Sequence, residues 1–196
     1  METKASLWGV FVDIIETIVV AAAIFVIVYL FLLQPHQVKG GSMEPNYHDG
    51  EYILTDKVSY RFSQPKRGDI IIFKSPTNTD LDFIKRIIAL PGEEIEVKEG
   101  KITIFNDQYK DGFVLEEHYN TNKPTTVEKD GQGYLIEGVK KKVNAGSYIV
   151  FGDNRSQSFD SRSWGEVPKG NIIGKAWLRY WPLNRFGFVK HENYKN

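Results

Sequence analysis

No cysteine occurs anywhere in the 196 residues. That excludes disulfides, thiolate metal sites and a cysteine nucleophile, and it leaves the compartment open. Net charge is lacking too, because 25 basic and 25 acidic side chains cancel. The basic ones are scattered, with Lys140-Lys141-Lys142 the one tight cluster. Such a balance offers nothing to nucleic acid, and the cluster reads as a solvated face. The four histidines, His36, His48, His118 and His191, lie far apart and show none of the spacings that hold a metal. No metal or organic cofactor is expected. There are no repeats or low-complexity segments, and the length suits one moderate domain, or one with a smaller lobe inserted.

What the chain does have is a long uncharged run. Residues 17–33 read TIVVAAAIFVIVYLFLL, and counting back past Glu16 and Asp13 to Leu7 extends the mostly apolar stretch. It then reaches the roughly 20 residues that a bilayer requires. No polar stripe interrupts residues 21–33, which argues against a buried core helix. A cleavable signal peptide should have a basic front and a small-residue cut site. Here Lys4 is set against Glu2, Asp13 and Glu16, and Gln34-Pro35-His36 follows. The expectation is a short tail and retained transmembrane anchor over residues 1–34. Lys4 on one side and Lys39 on the other give no orientation.

The remainder reads as strands. Residues 51–55, 70–73, 82–90, 147–151 and 172–182 are short apolar or alternating runs bounded by turn residues. Residues 70–73 are continuously apolar, as in a strand buried on both faces. Residues 94–97 and 102–104 alternate around Glu99-Gly100 and predict a hairpin. From about 107 to 144 the chain is polar and Gly-rich without a helical period, which suggests a second, smaller β lobe. The expected class is all-β.

The stretch most suggestive of chemistry is Gly40-Gly41-Ser42-Met43-Glu44-Pro45. It mounts a small hydroxyl on a Gly-flanked, Pro-terminated turn close to the anchor, where a nucleophile's own N–H can face an oxyanion. An ordinary loop serine is the competing reading. Two bases are open to it. His48 is nearest in sequence, in a polar turn without an evident orienting partner. Lys85 has aliphatic neighbours, and Phe83 and Ile87 share its strand face. It would serve if desolvation lowered its pKa, whereas a lysine snorkelling to solvent would not. Arg86 faces the other way and reads as an ion-pair or surface residue. The polar block from Gly152 to Arg162 follows a buried strand and suits a shell of hydrogen bonds and Asp/Arg pairs.

Four blocks occur in order behind the apolar run: GGSMEP, RGDIIIF, DFIKRIIALPGE and GDNRSQSFDSRSWG. Together they resemble the bacterial type I signal peptidases, membrane-bound Ser/Lys endopeptidases that cleave signal peptides from exported preproteins. The likeness is to the compact, single-anchor form typical of Gram-positive bacteria. It implies Ser42 as nucleophile and Lys85 as general base. Ser158 would position the amine, Asp160 and Arg162 would support it, and Asp153 and Arg155 fall on motif positions. Val38, Met43, Ile53, Phe83 and Ile84 would line pockets for small substrate side chains at −1 and −3. The family pattern further implies an antiparallel β catalytic domain over 35–92 and 146–196, with a smaller inserted β domain over 93–145. The N-terminus would be cytoplasmic and the catalytic domain extracytoplasmic. Expected partners are signal-peptide-bearing preproteins and the bilayer, with Trp177, Tyr180 and Trp181 at the lipid interface or in the core.

Three features depart from the pattern: Gly40 where some members carry a second oxyanion donor, Asn46 where Thr is common, and the bulky Phe159. Gly40 and Asn46 keep open an inactive anchored β domain that binds peptides or envelope components. A self-cleaving repressor-type peptidase shares the dyad, but it needs a DNA-binding module where this chain has its apolar run.

Overall fold

The computed structural model describes residues 7–120, 124–127 and 132–194. Lys4 and Glu2 of the anchor front lie outside them, as do parts of the 93–145 stretch. Helix α1 (Leu7–Ile27) has 21 residues and no buried side chain. At about 1.5 Å per residue it spans roughly 30 Å, the thickness of a bilayer's hydrocarbon core. It runs on into a π-helical turn, Val28–Leu32, and then directly into strand β1 (Leu33–Gln37). The apolar run thus stops being helix before its last residue, because Leu33 pairs with Asp56 in a sheet.

The strands that follow are β2 (Tyr52–Asp56), β3 (Ile70–Lys74), β4 (Asp82–Ala89), β5 (Glu94–Lys98), β6 (Lys101–Phe105), β7 (Phe113–Val114) and β8 (Lys141–Lys142). The last four are β9 (Ser147–Phe151), β10 (Val167–Pro168), β11 (Ile172–Trp181) and β12 (Gly187–Phe188). Single-turn helices α2 (Ser59–Phe62) and α3 (Ser161–Trp164) sit in the connections. Among the described residues the strands form two antiparallel sheets. The larger has the order β1-β2-β11-β3-β4-β9-β10, with β12 also on β11, and the smaller runs β7-β6-β5-β8.

The continuous apolar strand β3 explains how the large sheet is filled. Alternation sends Ile70 and Ile72 into a core with Val38, Met43, Ile53 and Ile84. Ile71 and Phe73 go into the opposite core with Ile87, Tyr148 and Val150. A third core joins the small sheet to the back of the large one, through Ile95, Ile102 and Ile104 against Ile88, Ile149 and Phe151. The Glu99-Gly100 hairpin has positive φ at both turn residues, 51° and 77°, as a two-residue turn matched to strand twist requires.

Candidate active site

Ser42 sits on the turn that follows β1. Gly40 takes a left-handed φ of 78°, and its N–H donates to Asp49 Oδ1 at 2.6 Å. Met43 is fully buried and plugs the turn into the core, and the Tyr47 N–H closes onto the Met43 carbonyl at 2.9 Å. Asn154 holds the turn from the other side. Its backbone N–H donates to Ser42 O and its side-chain amide to Gly41 O, both at 3.0 Å. That approach requires glycine at 152, where a Cβ would lie 2.4 Å from the Ser42 carbonyl oxygen.

Lys85 comes from the middle of β4, opposite Ile71 of β3. Its Nζ lies 2.7 Å from Ser42 Oγ and donates to the Ile84 carbonyl at 3.0 Å. The Phe83 ring centre is 5.5 Å away, and the side chain is 4% exposed. Burial pulls the amine down to about 8, helped by Arg162 and opposed by Asp160 and Asp153. Desolvation therefore outweighs two carboxylates. A neutral amine touching an alcohol can take its proton. His48 is placed differently: on a half-exposed turn, its Nδ1 lies 3.7 Å from Glu44 Oε1.

The polar block after β9 forms the rear of the site. Asp160 is completely buried and caps α3 through the Arg162 N–H. It takes two further bonds from the Arg162 guanidinium, at 2.8 and 2.9 Å, and one from the Gly152 N–H at 3.0 Å. Arg162 also reaches the carbonyls of Thr126, Arg155 and Ser158. Arg155 pairs with Glu117 and donates to Gly152 O. Asp153 receives both Arg86 Nε and a terminal nitrogen at 2.8 Å. Arg86 is thus an ion-pair residue and no surface residue, 2% exposed and stacked 3.8 Å from the Tyr119 ring. Asn46 donates to Asp153 Oδ2 at 2.8 Å and to Tyr119 O, which fastens the serine turn to this block. The Ser158 hydroxyl is buried yet bonded to no described residue, so it does not hold the lysine amine directly here.

A cavity of about 350 Å³ opens beside Ser42 and Lys85. Val38, Ile53, Phe83 and Ile84 line it as the resemblance implies, whereas Met43 does not. Being the plug of the turn, Met43 points into the core instead.

Residues 11–181 match the family described as signal peptidase, peptidase S26. The chain belongs to that family. A signal peptidase I of Leptolyngbya laminosa is 37% identical over 88% of this chain and 81% of its own length. Signal peptidase IB of Staphylococcus aureus (strain COL) is 34% identical over 94% of this chain and 98% of its own. A signal peptidase I from Enterococcus faecalis V583, known by crystal structure, is 32% identical, covering 58% of this chain and 97% of that one, with a TM-score of 0.45.

In this peptidase S26 chain the cavity has walls that pattern reading does not reach. Leu81 and Phe159, 50% and 57% exposed, stand at its mouth, and His36 and Asp82 also line it. By sequence His36 falls just past the apolar run, and its pairing with Ile53 makes it part of a wall.

Proposed function

We propose that this chain is a membrane-bound serine endopeptidase that cleaves signal peptides from preproteins through Ser42 and Lys85. The observation that carries this reading is the 2.7 Å contact between a desolvated amine and a turn-mounted hydroxyl. Neutral Lys85 takes the Ser42 proton as Oγ attacks the carbonyl after a small residue. The Ser42 N–H, free of described partners, faces the oxyanion. Lys85 returns its proton to the departing amine as the C–N bond breaks, then activates water to release the acyl group from Oγ. Asp160, Arg162, Asp153 and Arg155 act by holding the turn and the strand, and Ser158 offers the amine an oxygen as it moves.

Val38, Ile53, Phe83 and Ile84 give the cavity an apolar wall beside the serine, suited to small apolar side chains. The substrate lies extended along the exposed edge of the sheet. The catalytic domain comprises 35–92 and 146–196, with 93–145 inserted. In support, β1–β4 and β9–β12 build the large sheet and β5–β8 the small one. Helix α1 anchors the chain with its N-terminus cytoplasmic and the β domain outside. Exposed Trp177, Trp181, Leu183, Phe186 and Phe188, on β11 and the segment after it, rest against the lipid interface.

The test is incubation of the detergent-solubilised chain with a signal-bearing precursor. A new amino terminus after a small residue is expected. Ser42→Ala and Lys85→Ala should each abolish it while keeping the wild-type circular dichroism spectrum. Full activity in either variant rejects the dyad.

A further inference from the structure

Beside the exposed aromatic face lies a second cavity, of about 380 Å³. Four cations line it, Arg86, Arg179, Arg185 and Lys190, and Glu192 is the one carboxylate among its described lining residues. Arg86 is neutralised by Asp153. Arg179 and Arg185 are not, because they share a single carboxylate. Glu51, 2% exposed, lies 3.2 Å from Arg179 Nη1 and 2.7 Å from Arg185 Nη1. Arg179 Nε also donates to the Arg185 carbonyl at 2.6 Å, and its Nη1 to Asn46 O at 3.1 Å, so the two side chains are held together. Lys190 is exposed and makes no ion pair among the described residues. Two guanidiniums and an amine around one hole suit a compact oxyanion such as phosphate.

One edge of this cavity is apolar. Phe188 lines it, is largely exposed, and packs against exposed Trp177. Leu183 and Phe186, on either side of Arg185, are exposed as well. Strand register sets the height of this edge above the anchor. Phe188 pairs with Leu178, Leu178 with Leu54, and Leu54 with Pro35, which lies just inside β1. At about 3.3 Å per residue, Pro35 stands roughly 7 Å beyond the end of the apolar run, about the depth of a headgroup layer. A cationic hole with an aromatic edge at that height matches a phospholipid, its chains against the rings and its phosphate inside.

Resting on the lipid-facing reading of β11 and β12 above, we infer that this cavity binds the phosphate of an anionic glycerophospholipid through Arg179, Arg185 and Lys190. A zwitterionic headgroup would bring its own ammonium toward these cations, so a headgroup without an amine is favoured.

The test is the melting temperature of the full chain in a neutral detergent, titrated with short-chain phosphatidylglycerol, short-chain phosphatidylcholine or inorganic phosphate. Phosphatidylglycerol should raise it by roughly 5 °C near saturation, by mass action on the folded state. Phosphatidylcholine and inorganic phosphate should each give less than half that rise. Arg185→Gln and Lys190→Gln should each at least halve the phosphatidylglycerol rise, measured from the variant's own lipid-free value. If Arg185→Gln fails to fold, Lys190→Gln, at an exposed position, decides alone. An equal rise with phosphatidylcholine, or an undiminished one in Lys190→Gln, overturns the inference. An equal rise with inorganic phosphate also overturns it, making the cavity a site for a free anion. The share of brominated-lipid quenching lost with Trp177 and Trp181 reports on the face separately. If that share is present without a phosphatidylglycerol rise, the pocket fails and the lipid-facing reading stands; if it is absent, both fail.

Discussion

Arg86 and Asp153 meet in a bidentate pair on the face of β4 opposite Lys85, with both contacts at 2.8 Å and neither side chain more than 2% exposed. One strand thus carries the amine proposed as the base on one side and a buried ion pair on the other. Breaking a buried pair from one end leaves a bare charge in the interior, at a cost of about 3–5 kcal/mol. Arg86→Met should therefore lower the melting temperature of the full chain by on the order of 10 °C. The double variant with Asp153→Leu should lose less than Arg86→Met alone. A double variant worse than that single one would show that Asp153 matters through Asn46 rather than through Arg86.

The burial that brings Lys85 to about 8 sets two pH dependences of known sign. The proposed base acts only when neutral, so kcat/KM should rise tenfold per pH unit up to about 8 and level off above it. A midpoint well below 7 would point to a histidine. An unfolded lysine titrates near 10.5, so between about 8 and 10.5 the unfolded chain binds the extra proton and stability rises with pH. Below that window, burying the amine costs on the order of 3 kcal/mol. Lys85→Met should accordingly be more stable than wild type at pH 7, with the difference closing by pH 10.5. Urea midpoints at both pH values decide this, and a pH-independent difference contradicts it.

Asn154 holds Gly41 by its side chain and Ser42 by its backbone, so of these two holds on the turn Asn154→Ala removes only the first, along with the side-chain bonds to Ser156 and Gln157. The turn should loosen without unfolding. Because small misplacements of a reacting group are costly, kcat should fall roughly tenfold or more with KM little changed. A rise in KM alone would mean that Asn154 touches substrate.

The rings of Trp177 on β11 and Phe188 on β12, both exposed, pack against each other at a tilt, with centres 5.7 Å apart. If this face rests on lipid, tryptophan fluorescence of the full chain in brominated-lipid vesicles is quenched. Replacing both Trp177 and Trp181 with phenylalanine should then remove part of that quenching. Identical quenching in the variant would place the patch in water.

Much of this was legible because local pattern and tertiary demand agree. The apolar run 70–73 is a strand buried on both faces, and Glu99-Gly100 is the turn of its hairpin. Lys85 between aliphatic neighbours does lie in the interior, close to the serine turn. Arg86 was harder to read, because its partner lies 67 residues away and pairing at that distance leaves no mark on either segment. Met43 was misjudged for a related reason. Adjacency to Ser42 suggests the cavity, but a tight turn sends neighbouring side chains in opposite directions. His36 was hidden by the end of the apolar run, where helix gives way to strand within a single uncharged segment.

That direct passage has a mechanical outcome. Only the five residues of the π-helical turn separate α1 from β1, whose continuation carries the serine. With α1 embedded as proposed, so short a tether leaves the hydroxyl no freedom to rise into bulk solvent. Its reach becomes a fixed height, and a bond is within range only if the polypeptide that contains it is held at the same level. Where a precursor emerges from the bilayer would then govern cleavage as firmly as the residues flanking the cut.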